Sequence, residues 1–598
     1  MKRFAIVIAV IVAVLAIGAA AAPFVIPSDF VKQRVAARIA ELTGRPVVFS
    51  GDTSISIYPY ISLTLDGLSI GNSADLGTDP LVTADSLHAR LRLLPLLFGQ
   101  AEFEEFELVK PTIHLIVDTK GAPNWSLAGS PVAERALAPP PAASGPLKAS
   151  PRPEEISLGR LLVDNGTVLY DNLGSNTREE FTEVDLDVTW PDVTATASGR
   201  GKLRWRGELM EFTGLLAAPM QLFGGKASPA RFAIASTPLR ASFSGRASDD
   251  GRFQLDGEAS VSTPSMRRTI EWLGTPMGTG PILGAASVKG TVTIAGGAIN
   301  FITANAELDG NSARGALGVN FSGQRPAVSG TLAVDTLDLS AYIEAARADL
   351  AAEGSWLLAP ARVPFVDAVD ANVALSAGAI TMGATRIGRT AATIAIKEGT
   401  LDITISDAEL YSGTLAAKVA VGRAGEVLAA AAQAKFTGVP ARLALSGLTG
   451  ISALDGSAAL SFDLAARGRS WSEFANAVAG SGSLAISDGS LAGINLAALA
   501  VRLADPFAEP SPANGGETKF ARLAADLKVA SGEISTDNLS MTGDDFWLAL
   551  NGRGSVLNGG VDATATLTSG MDSIPITVSG TWSQPRIARV APPMPGSR

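Results

Sequence analysis

The sequence predicts a mainly β protein built on one long antiparallel sheet, with a few short helices. Two observations carry this prediction. A sequence pattern recurs in which a predicted strand is followed by a polar residue, a glycine and a second predicted strand. Glycine adopts without steric cost the positive φ that a two-residue hairpin turn needs. The flanking residues alternate between apolar and polar, as expected for a sheet with one covered and one solvated face. This pattern predicts hairpins at residues 161–168, 396–401, 484–491 and 529–534.

The composition favours an extended, apolar β protein over a soluble enzyme. Of the 598 residues, 46% are hydrophobic and 18% are charged, and the mean hydropathy is +0.25, which is more apolar than globular enzymes usually are. The net charge is −10 with no basic stripe, so nucleic acid is not an expected partner. Cysteine is absent, which excludes disulfides, thiolate metal sites and cysteine nucleophiles.

Residues 1–27 are predicted to be a membrane anchor. Residues 4–22 carry no charge, and at about 1.5 Å per residue a helix of this length spans roughly 28 Å, close to the thickness of a bilayer core. Lys2 and Arg3 predict that the N-terminus lies in the cytoplasm and the chain after the anchor on the far side of the membrane. A cleavable signal peptide is the alternative, since residues 19–22 are small; the length of the run favours an uncleaved anchor. The residues predicted to lie in the membrane-spanning part of the anchor include Phe4, Ile8, Ile11, Leu15 and Ala22.

The remaining chain is expected to form four regions and a short tail. Residues 28–127 form a helix plus β module, in which Ser28 or Asp29 caps a helix that runs to about Leu42 and ends at Gly44. Residues 128–155 contain seven prolines and indicate a flexible linker. Residues 156–470 form an extended β-sheet region, 471–590 a C-terminal β region, and 591–598 the tail. Short helices are predicted at 265–273, 339–350, 472–479 and 494–504, too few for βαβ units, so the sheet is expected to be antiparallel throughout.

The sequence predicts neither a catalytic site nor a metal site, and it calls for no cofactor. The two histidines, His88 and His114, lie on the polar phase of their strands and are interpreted as solvated surface residues. Two histidines without a cysteine give none of the usual metal-ligand spacings, and neither a phosphate-binding loop nor a nucleophile elbow occurs. Asp544 and Asp545 are interpreted as turn formers rather than as an acid/base pair.

Several segments of the chain resemble the AsmA family. The resemblance lies in a membrane helix followed by Glu41-Leu42-Thr43-Gly44-Arg45-Pro46-Val47, then Leu94-Pro95-Leu96-Leu97-Phe98-Gly99, Leu108-Val109-Lys110-Pro111-Thr112-Ile113-His114-Leu115 and Gly121-Ala122-Pro123-Asn124-Trp125. Residues 480–496 are similar to the second signature of that family. The order of these motifs behind an N-terminal anchor makes the match specific.

The resemblance implies a Gram-negative inner-membrane protein whose periplasmic part is a long, curved β-sheet with an apolar groove. The family is associated with outer-membrane assembly and, for its larger members, with carrying phospholipid between the two membranes. The implied partners are therefore phospholipid, the inner membrane, and components of the outer membrane or of outer-membrane-protein assembly. The resemblance supplies no catalytic residues. We expect the apolar phase of the N-terminal strands to line the groove: Ile55, Ile57, Leu63, Leu65, Leu87, Leu91, Leu93, Ile113, Leu115 and Val117.

Three alternatives remain open. The alternating strands could close into a sandwich or barrel whose apolar face is simply a core. The sheet could instead offer an edge or groove to the strands of outer-membrane proteins by β-augmentation. A β-helical, polysaccharide-active enzyme comes last, because the sequence shows no paired carboxylates on regularly spaced coils.

Overall fold

The computed structural model describes residues 28–56, 61–72, 79–91, 103–119, 121–125, 159–192, 194–223, 225–250, 252–277, 282–351, 364–367, 369–383, 385–449, 452–504, 511–512, 515–555, 559–581 and 584–590. The predicted anchor, the predicted linker, the tail and the groove candidates Ile57 and Leu93 lie outside these residues. No helix in the described ranges is both long and apolar enough to cross a membrane. The chain forms two compact units, Met1–Gly274 with Ala285–Ile302 and Thr275–Gly284 with Thr303–Arg598.

The first unit consists of fourteen described strands, the start of a fifteenth and three helices. Its strands are β1 (Val47–Phe49), β2 (Thr53–Ser56), β3 (Ile61–Ile70), β4 (Val82–Leu91), β5 (Phe103–Val109), β6 (Thr112–Val117), β7 (Gly159–Asn172), β8 (Thr177–Trp190), β9 (Ala197–Trp205), β10 (Glu208–Leu216), β11 (Ser228–Ser236), β12 (Arg240–Asp249), β13 (Phe253–Thr263) and β14 (Ala286–Ala295). Its helices are α1 (Ser28–Thr43), α2 (Pro219–Phe223) and α3 (Met266–Trp272). Strand β15 (Ala298–Leu308) begins in this unit and ends in the second.

The second unit continues the same pattern of long strands with short helices between some of them. Its strands are β16 (Asn311–Asn320), β17 (Ala327–Asp338), β18 (Asp370–Met382), β19 (Thr385–Lys397), β20 (Thr400–Leu410), β21 (Gly413–Ala424), β22 (Val427–Pro440), β23 (Leu454–Gly468), β24 (Ala479–Ala492), β25 (Ser511–Pro512), β26 (Glu517–Ala530), β27 (Glu533–Thr542), β28 (Phe546–Ser555), β29 (Gly560–Ser569), β30 (Asp572–Thr581) and β31 (Gln584–Arg589). Its helices are α4 (Ser340–Ala351), α5 (Ala441–Thr449), α6 (Trp471–Asn476) and α7 (Leu496–Leu503), with a 3₁₀ turn at Pro364–Asp367.

The sheet is mixed, which corrects the expectation of purely antiparallel pairing. Strands β5 and β6 both pair with β7 in parallel, and β17 pairs with β18 in parallel. A parallel pair needs a crossover of a dozen or more residues, often a helix. The predicted helix at 339–350 is present as α4 and lies in the crossover from β17 to β18. More than thirty residues separate β6 from β7 in the sequence. The other strand pairings described by residue register are antiparallel.

Two of the four predicted hairpins form. Lys397 and Thr400 flank a turn in which both Glu398 and Gly399 have positive φ, and Ser531 and Gly532 form the same turn between β26 and β27. The other two predictions are wrong, since residues 161–168 and 484–491 lie inside the continuous strands β7 and β24. There the left-handed residues Asn165 and Asp488 form bulges, and the freed N–H of Asn165 donates to the Asp185 carboxylate at 2.8 Å.

Each unit has its own apolar core against which helices pack. In the first unit, Val35 of α1 is buried against strands β1 to β4, with Ala36 and Ile39 half-buried beside it. In the second unit, the inner faces of α5 and α7 pack on one end of strands β18 to β31; Leu499 and Leu503 of α7 are almost fully buried there. Side chains of the polar residues Ser265, Ser470 and Asn495 cap α3, α6 and α7 at their N-termini.

Candidate functional site

The strand register of the first unit places apolar side chains on one continuous face, here called the first apolar face. Directly paired residues of neighbouring strands share a face. Leu87 pairs with Leu108, which pairs with Val163, which pairs with Leu186. The same phase continues through β9 to β14 by successive antiparallel pairs. Its members beyond β8 are Phe212, Phe232, Ile234, Phe243, Ala259, Val261, Val288 and Val292.

The cover over this face varies along the unit. Beneath α1, Leu63, Leu65 and Leu87 are buried. Further along, Phe232 is 37% exposed and Ile234 is 39% exposed, although both are large apolar side chains on the same phase. The aromatic pair Phe232 and Phe243 stacks with ring centroids 6.2 Å apart. The first apolar face is therefore a packed core at its start and exposes large apolar side chains at Phe232 and Ile234 of β11, although Phe243 and Val292 on the same phase are buried.

Glycines next to phenylalanines keep this surface shallow. A Cβ on Gly201 would lie 2.5 Å from Cζ of Phe212, and a Cβ on Gly245 would lie 2.8 Å from Cζ of Phe243. Both contacts are shorter than real Cβ atoms make, so the rings lie over the backbone of the glycines rather than standing out from the sheet. The rings of Phe212 and Phe243 therefore lie close to the sheet at these glycines.

The predicted groove residues fall into three groups. Leu63, Leu65 and Leu87 are buried in one apolar cluster with Val35 of α1. Half-buried positions are found for Ile55, Ile113, Leu115 and Val117, the first against that core and the others in β6. Ile113 and Leu115 share their phase with Val168 and Tyr170 of β7. Leu91 ends β4, where it pairs with Ile61.

The opposite face of the first unit carries cross-strand ion pairs. One row alternates in charge over five strands, from Arg90 to Glu105, Arg160, Asp187 and Arg200. The Arg160 guanidinium donates to both carboxylate oxygens of Asp187 at 2.8 Å. Together with Arg200 it lowers the pKa of Asp187 to about 2, the hydrogen bonds from Arg160 being the largest cause. One face of the sheet is therefore charged and the other is apolar.

Both histidines have side-chain partners: the His88 side chain is 41% exposed, in keeping with the sequence-based interpretation as a surface residue, whereas that interpretation is corrected for His114. His114 Nε2 lies 2.7 Å from the Asp171 carboxylate and keeps 21% of its side chain exposed. Arg178 and His114 together lower the pKa of Asp171, Arg178 being the larger cause. His88 Nδ1 lies 3.1 Å from Glu107, and its Nε2 lies 3.2 Å from Ser86 Oγ.

The order Ser86, His88, Glu107 resembles a hydrolase relay, but its surroundings do not support catalysis. Ser86 is buried, and it sits in the middle strand of a ladder paired on both sides, with Asp66 of β3 and Val109 of β5. Its neighbours' backbone N–H groups are used by the ladder, whereas acyl transfer needs free N–H groups aimed at the developing oxyanion. Among the described residues, no group of three His, Cys, Asp or Glu side chains is placed to hold a metal ion.

The second unit has an equivalent face, here called the second apolar face. Register connects Val373 to Ile394, Ile403, Val419 and Ala432 across β18 to β22. These side chains are half-buried, whereas residues of the same strands nearer α5 and α7, such as Leu410 and Val439, are buried. The second apolar face is thus covered at the helix-bearing end and partly accessible over the rest of the strand length.

The AsmA family model matches residues 1–231 and 292–539 of the chain, which is most of its length. The chain belongs to the AsmA family. No curated protein and no solved structure shows significant similarity to it. The match leaves out residues 232–291, which contain β12, β13 and α3, and residues 540–598, which contain β28 to β31.

Two of the AsmA-like motifs meet in the structure. Arg45, from the motif that follows α1, donates through Nη2 to the main-chain oxygen of Asn124, from the Gly-Ala-Pro-Asn-Trp motif. Asn124 is almost fully buried; its Oδ1 accepts from Ile116 N at 2.9 Å and its Nδ2 donates to His114 O at 2.8 Å. Through these contacts the two motifs connect the residue that follows α1 to strand β6.

The accessible residues Phe212, Phe232 and Ile234 were missed by sequence reasoning. A usable signal was present, because Arg231-Phe232-Ala233-Ile234 alternates as clearly as the N-terminal strands do. Alternation identifies the phase of a strand but does not reveal which part of the phase a helix covers.

Proposed function

We propose that this AsmA protein is anchored in the inner membrane, extends into the periplasm, and binds or carries phospholipid acyl chains on its apolar faces, supporting outer-membrane lipid homeostasis and assembly. The observation that carries the proposal is that the apolar side chains of Phe232 and Ile234 are exposed on one face of the sheet. The other face of the same sheet carries ion pairs. Acyl chains gain the free energy of leaving water, about 25 cal/mol per Å² of apolar area covered. The proposed role is binding and transport, with no chemical step.

The edges of the sheet favour this cargo over peptide strands. At the N-terminal edge β1 has three residues and β2 has four. At the C-terminal edge the two residues of β25 pair with β31, and both strands contain a proline, Pro512 and Pro585. Short edges and prolines, which lack the N–H donor, disfavour β-augmentation. These described edges therefore offer little to an outer-membrane-protein strand.

The proposal is tested by photo-crosslinking in the full chain in its native membrane. A photoreactive amino acid is placed at Phe212 or Ile234 on the first apolar face, and at the adjacent positions Thr213 or Ala233 on the polar phase as matched controls. Phospholipid adducts, identified by mass spectrometry, are expected at Phe212 and Ile234 and not at the controls.

Other outcomes separate the alternatives. Peptide adducts at Ile234 in place of lipid would favour the assembly factor. Equal labelling of both phases, or none at either, would contradict the proposal and favour a closed structural protein.

A further inference from the structure

Helix α1 covers the beginning of the first apolar face with three apolar residues. Val35 is buried, and Ala36 and Ile39 are half-buried against the cluster that contains Leu65 and Leu87. At the rim of this cluster lie Phe106 and Leu108 of β5, both half-buried and on the same phase. The face beneath α1 is therefore continuous, without a change of phase, with the accessible face further along the unit.

The attachment of α1 allows it to move as one piece. The helix ends at Gly44, whose φ of 70° and whose N–H bond to Ala40 O at 2.8 Å mark a left-handed C-terminal cap. The next residue, Arg45, is fixed to Asn124. A rotation at Gly44 would thus lift the helix while the strands stay in place. Lys32 Nζ donates to Gly51 O at 2.5 Å, a polar contact between the helix and the loop after β1.

We propose that α1 is a displaceable lid that occupies, within the same chain, the place an acyl chain takes on β3 and β4. The inference rests on the proposed function, because it assumes that the rest of this face binds acyl chains. The apolar side of α1 and a hydrocarbon chain cover the same side chains, so they exclude each other. Opening the lid exposes Leu63, Leu65 and Leu87, which then extend the accessible face toward the end of the unit where the chain enters from the predicted anchor.

The adjacent residues Ala36 and Ala37 provide a matched pair of variants. Ala36 faces the cluster and Ala37 is exposed. In Ala36→Asp a charge would be buried under the closed lid, whereas in Ala37→Asp it stays in water. Because the chain has no cysteine, a single Leu65→Cys substitution reports on opening through its reaction with a maleimide. The full chain is placed in nanodiscs of phosphatidylethanolamine and phosphatidylglycerol, the former carrying a photoreactive acyl chain.

Ala36→Asp is expected to raise the maleimide rate at Leu65→Cys by at least about tenfold, the factor that corresponds to 1.4 kcal/mol. Lipid capture should then appear on a β3–β4 peptide, while Ala37→Asp leaves both readouts at the parental level. The milder Val35→Ala should shift both in the same direction, and hydrogen exchange of β7 to β10 must stay unchanged, which separates lid opening from unfolding.

The proposal is overturned if Leu65→Cys becomes reactive but no lipid is captured on β3 or β4 while capture at Ile234 persists, since α1 would then be a structural cover. It is also overturned if the Ala36 and Ala37 variants behave alike, or if exchange of β7 to β10 rises with the maleimide rate. Loss of capture at Ile234 in the parent chain would instead contradict the proposed function itself.

Discussion

An aspartate on the first apolar face should have opposite consequences under α1 and in the uncovered middle. We compare Leu65→Asp with Ile234→Asp. Leu65 has no exposed surface, and even truncation of a fully buried leucine to alanine costs about 2–5 kcal/mol. An unpaired buried charge costs more. We therefore expect Leu65→Asp to lower the abundance of the protein.

The loss of folding stability in Ile234→Asp should be smaller. Full burial of an isoleucine side chain contributes roughly 1.5–3 kcal/mol, and Ile234 is already 39% exposed, so removing it should cost roughly 1–2 kcal/mol. The new carboxylate remains hydrated at this position. The difference between the two variants should be at least about 2 kcal/mol, which is roughly 30-fold in a local opening equilibrium.

Hydrogen exchange measured by mass spectrometry reports the local loss of stability in each variant. The amides of β3 and β4 report on Leu65→Asp, and the amides of β10 and β11 report on Ile234→Asp. Thr213→Asp, on the exposed polar phase of β10, is the control. Ile234→Asp should keep normal abundance and lose lipid capture. Equal destabilisation by the two apolar-phase variants would refute the distinction between a closed core and an accessible face.

Three further predictions concern the polar framework. The pKa of Asp187 is lowered to about 2, so its ion pair stabilises the fold fully above the unfolded pKa near 3.9; the stability difference between the parent and Asp187→Asn should be constant above about pH 5 and shrink as the pH falls toward 2, and a constant difference in urea titrations would contradict this. Asn124→Ala should destabilise the N-terminal module by about 1–3 kcal/mol, because the buried Ile116 N–H loses its acceptor; protection of the β6 amides measures it, and unchanged protection would show that water replaces the side chain. Asn495→Ala removes the N-cap of α7, whose Oδ1 accepts from Ala498 N at 2.9 Å; it should cost about 1 kcal/mol in urea unfolding, and Asn495→Asp should restore most of it, whereas equal losses for both would argue against the capping role.

Local signals in the sequence located most of the elements. Gly44 and Ser265 mark helix ends where the structure has them, and the predicted helix at 339–350 is present. Helix α5 was missed because Arg442-Leu443-Ala444-Leu445 alternates like a strand and follows Pro440 without a polar cap. The bulges at Asn165 and Asp488 were predicted as hairpin turns for a similar reason. A left-handed residue followed by glycine occurs both in two-residue turns and in bulges, and the strands that pair with the segment determine which of the two forms.

The location of the accessible surface depends on contacts that are distant in sequence. Leu65 and Ile234 have the same local pattern, and α1 decides that one is a core residue. The parallel pairing of β17 with β18 likewise follows from the crossover through α4, which a strand-by-strand analysis does not determine.

A sheet that leaves apolar residues such as Ile234 accessible has less burial to stabilise it than a two-layer domain, so its other face must contribute order. Individual exposed ion pairs contribute little, about 0–1 kcal/mol each, but the row from Arg90 to Arg200 shares charges between neighbouring strands, so each pair helps to position the next. Cross-strand pairs of opposite charge also fix the register, because a slip of one residue would move every apolar side chain to the polar face. On this argument the ion-pair row stabilises the apolar face opposite it, because it holds Leu108, Val163 and Leu186 of β5, β7 and β8 in one phase.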